Sequence, residues 1–580
     1  MINRVLAPVS IARGRIAVSS WDILAALLVL ASLVFFIGTG KSLTEPLAQL
    51  QSTPLSLDIG HLPGYAARTA LRMLAGLVLS LIFTFTYATI AAKNRRAEMV
   101  LVPILDILQS VPILGFISIT VVFFMSIAPG RVLGVEFAAV FAIFTSQAWN
   151  MAFSFYQSLR TVPTELTEAT RNFQLSGWSR FWRLEVPFAM PSLIWNMMMS
   201  MSGGWFFVVA SEAISVGNTT VKLPGVGSYI AMAIEQQNLP AIGYAIGAML
   251  IVILIYDQVL FKPLVAWADR FRFDQQPGGD IPRSWVLMAL RRSHLIDFLM
   301  RPFNAALRWS FRVRLPQRSV AATEQRLDVQ ERAWGDRLFY VALCLIAIVV
   351  LLRLGPYLAS GLSLRDLSYA ALLGLATLLR VTVLIAIASA IWVPIGVWVG
   401  MRPKVARMVQ PVAQFLAAFP ANLLFPIAVS AIVFLQLNPD VWLSPLMVLG
   451  TQWYILFNVI AGASAIPDEM RDVGINLRIR GWLWWRKIAL PAIFPFYVTG
   501  AITASGGSWN AAIVSELVTW GNTQLKARGL GSYIAEATAR GDMHHIILGI
   551  VVMSAFVLLF NRLFWRPLYW YAERKFRLTN

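Results

Sequence analysis

"ELTEATRNFQLSGWSRFWRLEVP", Glu165 to Pro187, is a polar, tryptophan-bearing segment set between two long apolar runs. Glu165 and Glu168 lead it, and Arg180 and Arg183 close it. Pro163, just ahead, stands where a helix can begin, and the two acids then fall in its first turns, at the positive end of the dipole. The bases gather with Trp178 and Trp182 where the chain turns back into apolar sequence, as residues of a headgroup belt do. The pattern predicts a short helix lying flat on a membrane face.

The rest of the chain agrees with a membrane setting. Its 580 residues are 58% hydrophobic and 13% charged, with a mean hydropathy of +0.67, which marks an integral membrane protein. The formal charge of +19 sits in the short gaps between apolar runs, where topology places Lys and Arg, so it does not indicate a nucleic-acid surface. Cys344 is the one cysteine and lies in an apolar run, which excludes a disulfide and a thiolate metal site. His61, His294, His544 and His545 are too scattered to ligate a metal.

A membrane helix needs about 20 apolar residues. Twelve spans are expected, near 21–40, 66–92, 98–126, 133–156, 186–212, 241–262, 337–354, 367–400, 405–435, 441–463, 489–516 and 544–565. Lys and Arg concentrate before the first span (Arg4, Arg13, Arg15) and after the second (Lys93, Arg95, Arg96), the fourth and the sixth. Both termini are therefore expected in the cytoplasm of a multi-pass inner-membrane protein, with no cleaved leader. Residues 274–335, polar and Arg-rich, form a cytoplasmic linker, read equally well as surface-lying amphipathic helices or as a plain tether.

The opening stretch recurs. At a constant offset of 304 residues Pro163 meets Pro467, Glu165 meets Glu469, Gly177-Trp178 meets Gly481-Trp482 and Pro187 meets Pro491. The offset carries on ungapped through Trp205 and Trp509, Ser211-Glu212 and Ser515-Glu516, and "GVGSYIA" and "GLGSYIA". Upstream it is 308, pairing Arg72 with Arg380 and Asp106 with Gln414. The chain is a tandem duplication, with a first domain over 1–273 (core 66–270) and a second over 336–580 (core 367–575). Because each half has an even number of spans, both run in the same sense across the membrane.

The repeated segment resembles the cytoplasmic "EAA" loop of permeases in binding-protein-dependent ATP-binding cassette importers. Glu168-Ala169-Thr170 opens the motif and Leu184, Val186 and Pro187 end it at the right spacing, while the second copy has Asp472-Val473-Gly474 and ends Ile488, Leu490, Pro491. Both copies depart at the central glycine, replaced by Gln174 and Arg478, and Gly177 and Gly481 are candidates to serve that turn instead. The resemblance implies an all-α polytopic fold of two tandem six-helix domains of the MetI-like, type I importer kind, closest to the nitrate, sulfonate and bicarbonate permeases. It further implies ATPase-coupling roles for Glu165, Glu168, Ala169, Gly177, Pro187, Glu469, Asp472, Val473, Gly481 and Pro491. With both loops on one chain, two copies of an ATPase subunit are expected to dock, carrying ATP and Mg. A periplasmic binding protein is expected on the outer face, against the repeated "GNT…GSYI" segment.

The chain itself is expected to bind no cofactor and to catalyse nothing. "GTGKS", Gly38 to Ser42, lacks the earlier glycine of a phosphate loop, with Phe35 in its place, and lies away from cytosolic ATP. Polar residues within spans mark candidate path positions. In "SMSGGWFF" these are Ser202, Gly203, Gly204 and Trp205, and in "TASGGSWN" Ser505, Gly506, Gly507 and Trp509. Glycines there serve either close helix packing or ligand access. Arg72 and Arg380 match an arginine of small-anion permeases and either face an anion or snorkel to a headgroup. Asp106, Gln414, Glu212 and Glu516 complete the candidates, the two glutamates being equally placed to hold the outer segment. The reading is an importer permease for a small solute, an anion of the nitrate, sulfonate or bicarbonate type. Its alternatives are a fused permease for ferric iron or thiamine, and an ATP-independent secondary transporter.

Overall fold

The computed structural model describes residues 55–110, 113–216, 219–271, 284–292 and 360–576, with single positions elsewhere. The span expected at 21–40, most of that at 337–354, Cys344, the "GTGKS" stretch, both termini and most of the 274–335 linker lie outside the described residues, as do the side chains of Asp106 and Ser202.

In the first half, α1 (Leu62–Lys93), α2 (Arg95–Ser110), α3 (Ile113–Ile127) and α4 (Val132–Arg160) precede the short polar helix α5 (Thr164–Asn172). Then come α6 (Val186–Glu212), the hairpin β1 (Ala213–Val216) and β2 (Thr219–Lys222), α7 (Val226–Glu235) and α8 (Leu239–Tyr256). The second half repeats the order with α9 (Leu364–Gly400), α10 (Pro403–Ala418), α11 (Phe425–Phe434), α12 (Gln452–Ser464) and α13 (Asp468–Asn476). It continues with α14 (Leu490–Ser515), β3 (Leu517–Trp520), β4 (Thr523–Lys526), α15 (Leu530–Arg540) and α16 (Met543–Phe560). Six helical stretches among the described residues are long and apolar enough to cross a membrane, or nine when bent pairs count as one span. The expected span at 98–126 is the pair α2 and α3, and the expected span at 405–435 bends by 76° between α10 and the helix after it.

In each half one helix is the hub. α4 packs between α1 and α6, and α12 between α9 and α14. Small residues bring the helices close: a Cβ on Gly76 would lie 2.5 Å from Ile143, and one on Gly396 2.7 Å from Val459. The halves then meet directly. Ile113 N–H donates to Asn510 Oδ1 at 2.7 Å, and Asn422 Nδ2 to the Phe206 carbonyl at 3.2 Å. Gly521 N–H donates to the Ile234 carbonyl at 3.1 Å.

Two details depart from uniform α-helix. The hairpins form where β-branched residues gather just past each long span, with Ala213 opposite Lys222 and Leu517 opposite Lys526. In the second, Gly521 (φ +57°) supplies the positive φ at the first position of a two-residue loop. Each half also carries two π-turns, Phe181–Glu185 and Asp257–Phe261 in the first and Trp485–Ala489 and Asn561–Trp565 in the second. Periodicity in sequence does not reveal them, because one extra residue in a turn leaves the apolar run unbroken.

Candidate functional site: two loop helices and two outer clasps

The polar segment that opened the sequence analysis folds as α5, and its copy as α13. Pro163 and Pro467 are the N-caps. Glu165, Glu168, Glu469 and Asp472 are all exposed, Val473 is 53% exposed, and Ala169 is half-buried. Apolar side chains stand out beside them: Phe173 is 77% exposed and Ile475 72%.

Both helices stop in the same way. Gln174 and Arg478 each take φ +51°. Around Gln174 the Leu175 N–H donates to the Thr170 carbonyl at 3.1 Å and the Gln174 N–H to that of Arg171 at 2.8 Å. Around Arg478 the Ile479 N–H donates to Gly474 and the Arg478 N–H to Ile475, both at 2.9 Å. This is the Schellman stop, in which one left-handed residue lets the last carbonyls find donors. The expectation that Gly177 and Gly481 replace the missing glycine is corrected: the left-handed residue is the one standing at the glycine's own position. Gly481 has φ +58°, but it opens the following short helix instead. Pro187 and Pro491 stand just past the π-turns, inside helices that run unbroken from Gly177 and Gly481, where the widened turn takes in a residue without an N–H.

The attachment behind each loop helix differs between the halves. In the first, buried Glu185 meets Lys93 Nζ at 2.7 Å and Arg180 Nε at 2.9 Å. Nearby Glu98 accepts from the Tyr156 hydroxyl, with Arg160 at 3.8 Å. At the repeat offsets these residues become Ala489, Met401, Trp484, Ala406, Ile460 and Ser464. Ala489, Met401 and Trp484 pack in the second core, and Ala406 and Ile460 in a smaller apolar cluster.

At the opposite end of the spans each half carries a clasp. Glu212, at the end of α6, is fully buried. Its Oε1 accepts from Thr69 Oγ1 at 2.7 Å and from Arg72 Nη1 at 2.6 Å, and its Oε2 from the Gly227 N–H at 2.7 Å. Arg72 turns its other edge to Glu136, donating from Nε at 2.7 Å and Nη2 at 2.6 Å, and reaches the Pro224 carbonyl at 3.0 Å. In the second half Glu516 accepts from Thr377 Oγ1 at 2.9 Å, Arg380 Nη1 at 3.1 Å and the Gly531 N–H at 2.8 Å. Asp440 accepts from Arg380 Nη2 at 3.1 Å and from the Arg528 N–H at 2.6 Å. A Cβ on Gly225 or Gly529 would collide with the clasping carboxylate. The clasps tie the start of α7 and α15 to the long spans, while Lys222 to Glu235 and Lys526 to Glu536, at 2.7 and 2.6 Å, tie the hairpins to the same helices.

Both arginines, expected to face an anion or a headgroup, are thus each engaged by two carboxylates, one fully buried (Glu212, Glu516) and one partly exposed (Glu136, Asp440), and the glutamates take the segment-holding role. Glu136 and Asp440 were missed in the sequence, although they are acids at the same 304 offset.

The remaining candidates separate by burial. Trp205 and Trp509 are fully buried, Trp205 edge-on to Tyr256 at 5.2 Å. Gly204 packs against Met73 and Gln147, and a Cβ on Gly507 would lie 2.6 Å from Thr451. Gly203 and Gly506 have open space instead, and Ser505 is buried. Gln414 lines a narrow cleft of only about 10 Å³ between the halves, with Trp195 and Met199 from α6 and Tyr454 from α12.

A duplicated α-helical membrane domain, with paired exposed loop helices on one side and paired clasped hairpins on the other, defines a polytopic permease. The chain belongs to the family of binding-protein-dependent transport system inner membrane components, whose model matches residues 76–262 and again 392–566, more than half of the sequence. Among its relatives, the bicarbonate transport system permease protein of Synechococcus elongatus is 30% identical over 188 residues, 32% of this chain and 64% of that protein. The nitrate import permease protein of Leptolyngbya laminosa is 28% identical over the same length, with the same coverage. A glycine betaine/carnitine transport permease protein of Listeria monocytogenes is 26% identical over 170 residues, 29% of this chain and 54% of that protein. The aligned stretch thus spans a little under two thirds of the first two relatives.

Proposed function

We propose that the chain forms the membrane pathway of an ATP-driven importer for a small inorganic anion of the bicarbonate or nitrate type. The observation that carries the reading is the pair of loop helices, α5 and α13. Each is exposed, led by acids, closed by the same left-handed stop and returned to its span through a π-turn. A helix so placed fits a groove on a partner and passes the partner's movement to the span behind it. In this reading the energy comes from a separate ATPase subunit, two copies of which dock on one permease chain, on the side where the termini also lie. ATP and Mg belong to that partner. A periplasmic binding protein meets the opposite face, at the clasped hairpins.

The anion class rests on the bicarbonate and nitrate relatives, because the arginines that first suggested it are engaged in the clasps. The path is assigned to the space between the halves, past Gln414 and Tyr454, with Gly203 and Gly506 as the glycines that leave room.

The test is reconstitution with the cognate ATPase subunit. Glu168→Lys combined with Asp472→Lys is expected to abolish ATPase co-purification and uptake, and full uptake by that variant excludes the importer reading. A secondary transporter would instead move solute with no ATPase added.

A further inference from the structure

We propose that the second half holds a phospholipid of anionic headgroup in a groove beside the second loop segment, with its phosphate on Arg486 and an acyl chain running up between the helices. The groove, of about 640 Å³ and open along one side, is framed by α9 near Val393 and Pro394, by the π-turn and by the start of α14. Its walls are apolar, from Ile493 and Phe494 to Trp485, and its hydroxyls are few: Tyr497 donates to Ser389 Oγ at 3.0 Å. Among the described lining residues Arg486 is the one cation, and it is exposed, while Lys575, outside the lining, donates from Nζ to the hydroxyl of Tyr571 at 2.9 Å. A long apolar slot with a cationic rim at the level of a tryptophan belt matches a lipid in both parts of its chemistry.

The first half is the internal control. Its backbone follows the same course, but Phe85 stands at the position of Val393 and Trp182 at that of Arg486. Phe85, Phe181 and Trp182 stack edge to face with centroids 5.2 to 6.4 Å apart and fill the space. Trp178 there donates to Ser310 of the linker at 3.0 Å, whereas its counterpart Trp482 is 74% exposed. The duplication has therefore exchanged an aromatic plug for a slot with a charge at its rim, in the half whose loop segment lacks the Glu185 ion pairs. A lipid seated against Trp482, Trp485 and Arg486 steadies that segment in their place.

The inference rests on these segments lying at the membrane surface, as in the reading above. Full-length protein, stripped of lipid in detergent, is titrated with dioleoyl phosphatidylglycerol or dioleoyl phosphatidylcholine, and bound lipid is counted by native mass spectrometry. Wild type is expected to favour phosphatidylglycerol about fivefold at one site, the gain of one interfacial cation. Arg486→Gln, at an exposed position that leaves the fold intact, is expected to remove the preference and keep the lipid. Val393→Phe with Arg486→Trp, copying the first half, is expected to remove that lipid altogether. Equal binding of both lipids by wild type, or the wild-type preference surviving in Arg486→Gln, overturns the proposal. So does a crosslink from residues 274–335 to Trp482 that phosphatidylglycerol does not displace. ATPase docking, read by co-purification, is independent of these outcomes, so failure of one reading is distinguishable from failure of the other.

Discussion

Gln174 and Arg478 share a φ of +51° although they lie 304 residues apart and have unrelated side chains. The backbone at the end of each loop helix is thus set by the stop it must make, and the side chain tolerates it. A left-handed conformation costs a non-glycine residue about 1–2 kcal/mol. Gln174→Gly and Arg478→Gly are expected to raise the melting temperature of the detergent-solubilised protein slightly and keep ATPase binding. The β-branched changes Gln174→Val and Arg478→Val are expected to weaken it, which co-purification measures.

The clasps predict a loss of stability when one partner is removed. Glu212→Gln leaves Arg72 half-compensated, and breaking a buried pair costs about 3–5 kcal/mol. Arg72→Gln is expected to lower the melting temperature more than Arg380→Gln, because the Arg380 side chain is 16% exposed and that of Arg72 only 6%. If instead Arg72→Gln leaves stability unchanged and only uptake falls, the arginine belongs to the substrate path.

Glycine substitutions separate structure from path. Gly225→Ala and Gly529→Ala drive a methyl into the clasping carboxylate and are expected to cost about 1–3 kcal/mol each. Gly203→Ala and Gly506→Ala meet open space and are expected to leave the melting curve in place. A fall in uptake in either of the latter, with stability retained, locates it on the path.

The ionic attachment of the first loop segment predicts a rescue. Glu185→Ala is expected to destabilise by about 1–3 kcal/mol, since Lys93 and Arg180 lose a buried acceptor. Adding Lys93→Met and Arg180→Trp, the residues at these positions in the second half, is expected to recover most of the loss in thermal melts.

Much of this architecture was legible before any coordinates. The apolar runs placed several long helices within a few residues, as α1 (Leu62–Lys93) against 66–92 shows, because a span has to bury about 20 residues whatever its partners, but the stretches 98–126, 405–435 and 441–463 are each broken into shorter helices. The repeat identified the loop helices, since a bland interfacial loop has no reason to recur at fixed spacing. What stayed hidden depends on contacts between distant residues. Arg72 and Glu136 are 64 positions apart, and only packing of α1 on α4 makes the arginine a clasp instead of an anion site. The π-turns and the hairpins were missed for a related reason. Each changes the path of a few residues without changing the composition that periodicity reads.

The exchange of Lys93, Arg180 and Glu185 for Met401, Trp484 and Ala489 has a consequence for how such a machine can evolve. A pathway assembled from two copies of one polypeptide must carry every substitution twice, so a plug cannot become a slot on one side alone. Fusing the copies removes that constraint. Each half answers to its own selection, and two segments with the same backbone course become free to be held differently, one by an ion cluster and the other by apolar and aromatic packing.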